Sequence, residues 1–135
     1  MASALEDKDA IREVLAEYCF RLDGGDFDGM AALFTADGTW DTAFGKATGR
    51  AAIAELARSL RRGGPQPRPR GIHLVTNVAI ALDGATARVR SNWIVAQNGA
   101  DGPQIGSGGG YADEMVKEDG VWRFRYRKID RFIRP

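Results

Sequence analysis

The chain has 135 residues, which is enough for one domain with its own hydrophobic core. Its 19 basic and 18 acidic residues give a formal net charge of +1, so no strong overall field favours nucleic acid or an anionic membrane as a partner. A single cysteine, Cys19, excludes an intrachain disulfide and is typical of a reducing cytoplasm, and neither a signal peptide nor a membrane-length apolar run is evident. The sequence therefore predicts one cytoplasmic domain over residues 1–135.

Helical patterns fill the first half of the chain. Ser3 and Glu6 fit a capping box, and apolar residues then recur at steps of three and four as far as Asp23. Gly24-Gly25 is expected to end this helix through the left-handed backbone that glycine adopts at low cost. Further elements are predicted as a short helix at 27–34, a short strand at 39–44 and a third helix at 50–62.

Residues 63–71 are rich in glycine and proline and are predicted to form a loop, with a lid over a pocket as one role. The pattern then changes to strands at residues 72–82, 85–97, 104–117 and 121–132. Asp83-Gly84 and Asp119-Gly120 are hairpin signals between them. Helices followed by antiparallel hairpins predict an α+β domain, with the helices packed on one face of a sheet.

Strict alternation along the strands assigns side chains to faces. In the first long strand it places His73, Val75 and Asn77 on one face. In the last strand it places Arg127 on the same face as Arg123 and Arg125, where all three are expected to be solvated or in an interface. Four glycines within residues 106–110 predict a bend or a bulge that curves the sheet around a cavity.

His73 is the only histidine, and Asp23 lies where the first helix ends. A carboxylate is unfavourable there, because the C-terminal end of a helix carries partial negative charge. An imidazole partner would offset that cost and is suited to acid–base work near neutral pH. We therefore hypothesise that Asp23 and His73 meet in one pocket as a catalytic dyad. The residues alone also allow a structural histidine, an aspartate that caps a turn, and core roles for Tyr18 and Trp40.

Metal chemistry is poorly supported by the composition. One histidine and one cysteine, with no carboxylates clustered at ligand spacing, offer no zinc or iron site, so neither a metal nor another cofactor is predicted. Cys19 has no basic partner and is predicted to be a core residue.

Several local strings carry a family resemblance. They are Ala10-Ile11-Arg12 followed by Tyr18 and Leu22-Asp23, Phe34-Thr35-Ala36-Asp37-Gly38, Gly49-Arg50-Ala51-Ala52-Ile53, His73-Leu74-Val75-Thr76-Asn77, Gly110-Tyr111-Ala112-Asp113-Glu114 and Asp119-Gly120-Val121-Trp122-Arg123-Phe124. Together with the order of elements, they resemble the SnoaL-like branch of the nuclear transport factor 2-like superfamily over nearly the whole chain. The resemblance implies a cone-shaped, cystatin-like barrel: three N-terminal helices on a strongly curved, mainly antiparallel sheet that encloses an apolar pocket.

Enzymes on this scaffold include scytalone dehydratase, bile acid 7α-dehydratase, hexachlorocyclohexane dehydrochlorinase, ketosteroid isomerase and polyketide cyclases. Asp23 and His73 match the catalytic pair of the dehydrochlorinase, and Trp40 and Arg127 match its pocket tryptophan and arginine. That enzyme has a lysine where this chain has Tyr18, which argues against chloride elimination. Tyr18 with Asp23 and His73 instead resembles the bile acid dehydratase arrangement.

The resemblance implies a cofactor-independent lyase that carries out a dehydratase-type elimination on a small apolar, cyclic molecule. His73 would be the general base, Asp23 would orient it, and Tyr18 would donate a hydrogen bond to the leaving group or an oxyanion. Arg127 can join them only if a bulge turns it into the cavity. The predicted substrate-binding residues are Trp40, Phe44, Trp93, Tyr111 and Asn77.

Two alternatives stay open. The same dyad would serve an isomerase or cyclase, and the fold also suits a non-catalytic binding module or a scaffold subunit like the small subunit of ring-hydroxylating dioxygenases. An apolar outer sheet face predicts a homo-oligomer, and the resemblance narrows this to a trimer or dimer.

Overall fold

Three helices and six strands form within residues 1–61 and 70–135, the part of the chain that this computed structural model describes. The helices are α1 (Ala4–Asp23), α2 (Phe27–Ala31) and α3 (Arg50–Leu60). The strands are β1 (Phe34–Thr42), β2 (Gly45–Thr48), β3 (Gly71–Asp83), β4 (Thr86–Gly99), β5 (Gly102–Glu118) and β6 (Val121–Ile133). No helix in these two ranges is long and apolar enough to cross a membrane.

The strands form one sheet in the order β2-β1-β6-β5-β4-β3. All neighbours are antiparallel except β1 and β6, which are parallel. The helices pack on one face of this curved sheet, which confirms the predicted α+β, cystatin-like architecture. The sheet stays open between its edge strands β2 and β3, so it is not a closed barrel.

The first helix begins and ends as its sequence predicts. Ser3 and Glu6 form both hydrogen bonds of a capping box. At the other end Gly25 has a φ of +79°, the left-handed conformation that lets the chain leave the helix directly after Asp23. The buried stripe of Ile11, Leu15 and Tyr18 faces the sheet.

The connection between α1 and α3 differs from the prediction. The second helix ends at Ala31, and Phe34 already belongs to β1 because it pairs with Phe124 of β6. The strand predicted at 39–44 is therefore longer and begins earlier, and β2 was not predicted at all. Both depend on tertiary pairing, which a local pattern does not contain. Most of the predicted loop and lid, residues 63–69, lies outside the described residues.

Two bulges change which side chains face the helices. In β3 the pairing with β4 shifts between Thr76 and Ala79, and Asn77 adopts a φ of +54°. Beyond that point the inward positions are Val78, Ile80 and Leu82, so the prediction that Asn77 shares the face of His73 is wrong.

In β6 the pairing with β5 shifts so that Glu114 faces Tyr126 while Met115 faces Phe124. Arg125 is the extra residue, and its exposed side chain lies outside the core. Arg127 is fully buried, so the prediction of a shared solvated arginine face is wrong. On sequence grounds, a bulge before Arg127 is required for its side chain to turn inward, and the structure contains that bulge.

The glycines of β5 allow a close approach between backbones. A Cβ atom on Gly109 would collide with the carbonyl oxygen of Asp130 on β6. The β5–β6 pairing also shifts between Gly108 and Gly109, which confirms the predicted irregularity in this strand.

Candidate active site

The structure brings Asp23 and His73 into direct contact. Asp23 Oδ1 lies 2.5 Å from His73 Nδ1, and Asp23 Oδ2 accepts a hydrogen bond of 2.8 Å from the backbone N–H of His73. The two side chains keep only 11% and 22% of their accessible surface. One carboxylate thus holds both the backbone and the ring of His73, which leaves Nε2 as the free nitrogen of the imidazole.

Arg61 explains how a carboxylate is tolerated at the end of α1. Its Nη1 and Nη2 atoms donate to the carbonyl oxygens of Leu22 and Asp23 at 2.9 and 3.0 Å. A cation at this position offsets the negative end of the helix, and it gives a donor to the carbonyl of Asp23 and a second donor to that of Leu22, which also accepts from the backbone N–H of Gly25 at 3.2 Å. Arg61 is therefore a positioning residue for Asp23 that the sequence analysis missed.

Tyr18 lies one and a half turns before Asp23 on α1 and is fully buried. Its hydroxyl oxygen accepts a hydrogen bond of 3.0 Å from Trp40 Nε1. Because the oxygen is used as an acceptor, its proton remains available for donation. Burial raises the pKa of Tyr18, against the opposing charge of Arg127, so the phenol stays protonated near neutral pH.

A cavity of about 700 Å³ opens between the helices and the sheet. Along the sheet its wall includes one paired row, formed by His73 of β3, Val95 of β4 and Ser107 of β5. The other described residues that line it are Tyr18, Leu22, Asp23, Phe27, Trp40, Thr42, Ala43, Phe44, Ala57, Leu60, Arg61, Arg70, Gly71, Trp93, Gln97, Tyr111, Ile129 and Arg131. A mostly apolar wall with a few polar groups is typical of a small-molecule site.

Four of the five predicted substrate-binding residues line this cavity. Trp40, Trp93 and Tyr111 are buried in its wall, and Phe44 lines it with an exposed ring. Asn77 is exposed and is not among the lining residues, because the β3 bulge turns it outward. Its predicted role as a pocket residue is wrong.

Arg127 lies behind the cavity wall and is not among the lining residues. Its guanidinium carbon is 4.1 Å from the ring centroid of Tyr18 and 3.6 Å from that of Tyr111, both of which face the cavity. Its Nε lies 3.0 Å from Oδ1 of Asp113. Burial raises the pKa of Asp113 to about 6, although the attraction of Arg127 opposes this. Arg127 is thus placed to support Tyr18 and Tyr111, with those rings between it and the cavity.

Cys19 is a buried residue of α1. Burial raises the pKa of Cys19 to about 11, as expected for a thiol in a helix core. In the two described ranges, no three His, Cys, Asp or Glu side chains gather where they could hold a metal ion.

Arg70 and Arg131 also line the cavity and were missed as site residues. Arg131 follows Arg127 by four residues, so the two share a strand face once the bulge is passed. This four-residue spacing is visible in the sequence, but it indicates a site residue only once Arg127 is known to point inward.

Comparison with known proteins supports this architecture. The family model for the SnoaL-like domain matches residues 3–128. A Mycobacterium tuberculosis protein of unknown function is 32% identical, with a TM-score of 0.82 over 93% of this chain and 72% of its own. No curated protein is a significant match to the chain.

Two structures from Novosphingobium aromaticivorans are also similar. One, provisionally assigned as a scytalone dehydratase, is 26% identical with a TM-score of 0.78, over 96% of this chain and 86% of its own. The other is the beta subunit of a protein provisionally assigned as an aromatic-ring-hydroxylating dioxygenase. It is 20% identical with a TM-score of 0.79, over 95% of this chain and 90% of its own, and shows likeness of fold alone.

Proposed function

We propose that this chain, which belongs to the SnoaL-like domain family, is a cofactor-independent lyase acting on a small apolar, cyclic substrate. The reaction is a dehydratase-type elimination. The observation that carries the proposal is the double contact between Asp23 and His73 at the edge of the cavity. Such a contact fixes the imidazole for proton transfer, since the acceptor on Nδ1 keeps Nε2 unprotonated in the neutral ring.

The proposed reaction uses three side chains. His73 Nε2 takes a proton from carbon, and Asp23 stabilises the imidazolium that forms. The electron pair of the broken C–H bond forms the new C=C bond as the C–O bond breaks. Tyr18 donates a hydrogen bond to the departing oxygen, and the imidazolium returns its proton to that oxygen, so that water leaves.

The experiment combines elimination with proton exchange. Cyclic β-hydroxy ketones are incubated with the protein, and the product is expected to be lighter by one water. In heavy water, 2-tetralone is expected to gain deuterium next to its carbonyl group, which detects proton removal without a leaving group. His73→Asn should reduce both rates by roughly 10²- to 10⁴-fold, the range typical of general base catalysis. Near-full turnover by His73→Asn would contradict the proposal.

An isomerase or cyclase is the first alternative, because it would use the same base, His73, the same orienting carboxylate, Asp23, and the same hydrogen-bond donor, Tyr18. His73-dependent deuterium exchange, together with a product from the β-hydroxy ketone that has the mass of its substrate in ordinary water, would favour it over a lyase.

A scaffold subunit is the second alternative, since the dioxygenase beta subunit shows that this fold can occur in a subunit of a larger enzyme. That role does not explain why a carboxylate–imidazole pair faces a cavity of about 700 Å³. Chemistry by the purified chain alone would exclude it.

A further inference from the structure

Among the described residues, more positive than negative side chains line the cavity between the helices and the sheet. Three arginines, Arg61, Arg70 and Arg131, contribute to its wall. Asp23 is the one carboxylate among the described lining residues, and it is already bound to His73. An entirely apolar substrate would leave this excess of guanidinium groups unused.

The three arginines differ in what they already bind. Arg61 is held by two carbonyl oxygens at the end of α1. Within residues 1–61 and 70–135, neither Arg70 nor Arg131 forms an ion pair, whereas Arg58, Arg123 and Arg127 do. Residues 62–69 contain no Asp or Glu, so that segment has no carboxylate side chain to offer them.

Arg131 is positioned by its neighbours. It is half-buried on the inward face of β6, where the bulge at Arg125 directs it. Its guanidinium carbon lies 5.4 Å from the ring centroid of Phe44, close enough for a cation–π contact. Phe44 itself keeps 63% of its surface exposed, so both groups lie towards the open side of the cavity. A guanidinium fork held at a partly shielded site is well suited to carboxylate or another oxyanion.

We propose that the natural ligand is amphipathic: an apolar ring system with one anionic group, bound by Arg70 and Arg131. The ring system lies against Trp40, Trp93 and Tyr111, within reach of His73. The inference deepens the proposed function, in that it takes the same cavity as the substrate site. It depends on binding alone, however, and so can be tested without turnover.

Two fluorescent probes with the same rings provide the test. Anilinonaphthalene sulfonate carries an anionic group, and N-phenylnaphthylamine is its uncharged counterpart. The sulfonate is expected to bind about tenfold more tightly or better, the effect of one charge-assisted hydrogen bond. Added salt should lower the affinity for the sulfonate, because it screens the charge, and should leave the affinity for the uncharged probe unchanged. The double variant Arg70→Gln with Arg131→Gln should remove the preference while leaving the affinity for the uncharged probe unchanged.

Two further variants serve as controls. Arg12→Gln removes an exposed arginine of α1 and should keep the preference. Ser107→Phe fills the cavity and should lower the affinity for both probes, and thermal melting shows that each variant is folded.

The proposal is overturned if the two probes bind with equal affinity, or if Arg12→Gln reduces the preference for the sulfonate as much as the double variant does. It is also overturned if Ser107→Phe leaves probe binding intact. If the chain prefers the sulfonate but does not catalyse elimination, the proposed lyase activity is overturned and this inference stands. If it catalyses elimination but binds both probes equally, only this inference is overturned.

Discussion

Arg127 is a charged residue enclosed by aromatic rings. Its guanidinium carbon lies within 4.5 Å of the ring centroids of Tyr18, Tyr111 and Phe124. Asp113 is its ionic partner, yet Nη1 and Nη2 of Arg127 and Oδ2 of Asp113 have no hydrogen-bond partner among the described residues. Taking both charges out of water costs several kcal/mol per ion, which the attraction between them offsets only in part. The pair is better explained by its position beneath Tyr18 and Tyr111 than by a gain in stability.

This burial predicts how stability depends on pH. The pKa of Asp113 rises from 3.8 to about 6 on folding, mainly because its charge is buried, so the folded chain holds the proton more tightly than the unfolded chain. The corresponding stabilisation is present below the unfolded pKa and is lost as pH rises through about 6, and its full size is on the order of 3 kcal/mol.

Urea unfolding followed by tryptophan fluorescence across this pH range measures the effect. Asp113→Asn cannot titrate, so its free energy of unfolding should decrease less than that of the unaltered protein as pH rises. Parallel curves for the two proteins would show that Asp113 does not cause the dependence.

Among the elements, the C-terminal end of α1 matters most, because it fixes Asp23. Gly25, two residues later, has a φ of +79°, and no atom lies within 4 Å of the point that a Cβ would occupy, so an added methyl group would be strained but not blocked. Gly25→Ala should cost about 1 kcal/mol of stability. It should also reduce turnover, because relief of the strain moves the end of the helix.

Gly84→Ala is a matched control for this prediction. Gly84 has a φ of +57° with equally open space, but it lies in the β3–β4 turn, away from the cavity. The two variants should lose similar stability in thermal melting, while only Gly25→Ala loses activity. An equal effect on turnover would mean that the helix end does not control the site.

Part of this site could be predicted from the sequence because its signals are local. A carboxylate before two glycines at a helix end and one histidine in an apolar run made Asp23 and His73 candidates, and the family resemblance gave them their roles as a dyad. The face of Arg127 and that of Asn77 could not be predicted, because each depends on one extra residue in a strand. A bulge reverses alternation for every later position, and strand pairing across the sheet decides where it occurs. For the same reason, the inward position of Arg131 could not be predicted.

At the scale of the whole molecule, one end of the outer face of the sheet carries an apolar patch. Leu74 of β3, Ile94 of β4 and Ile133 of β6 are connected across the strands through Gly108, which leaves their side chains in contact range. Leu74 and Ile133 are exposed, as is Phe132 beside them. A contiguous apolar surface of this kind favours association with a second copy of the chain.

We propose that the chain forms a homo-oligomer, a trimer or dimer, through this outer face. Leu74→Glu combined with Phe132→Glu places two like charges in the patch, and their burial without partners would cost more than the apolar contact provides. Sedimentation equilibrium should therefore show a dimer or trimer for the unaltered chain and a monomer for the double variant.

Leu5→Glu is the control, because Leu5 is also exposed but lies at the start of α1. A monomeric unaltered chain, or dissociation caused equally by Leu5→Glu, would contradict the proposal. Because the cavity opens on the opposite face of the sheet, the monomeric variant should still bind the fluorescent probes.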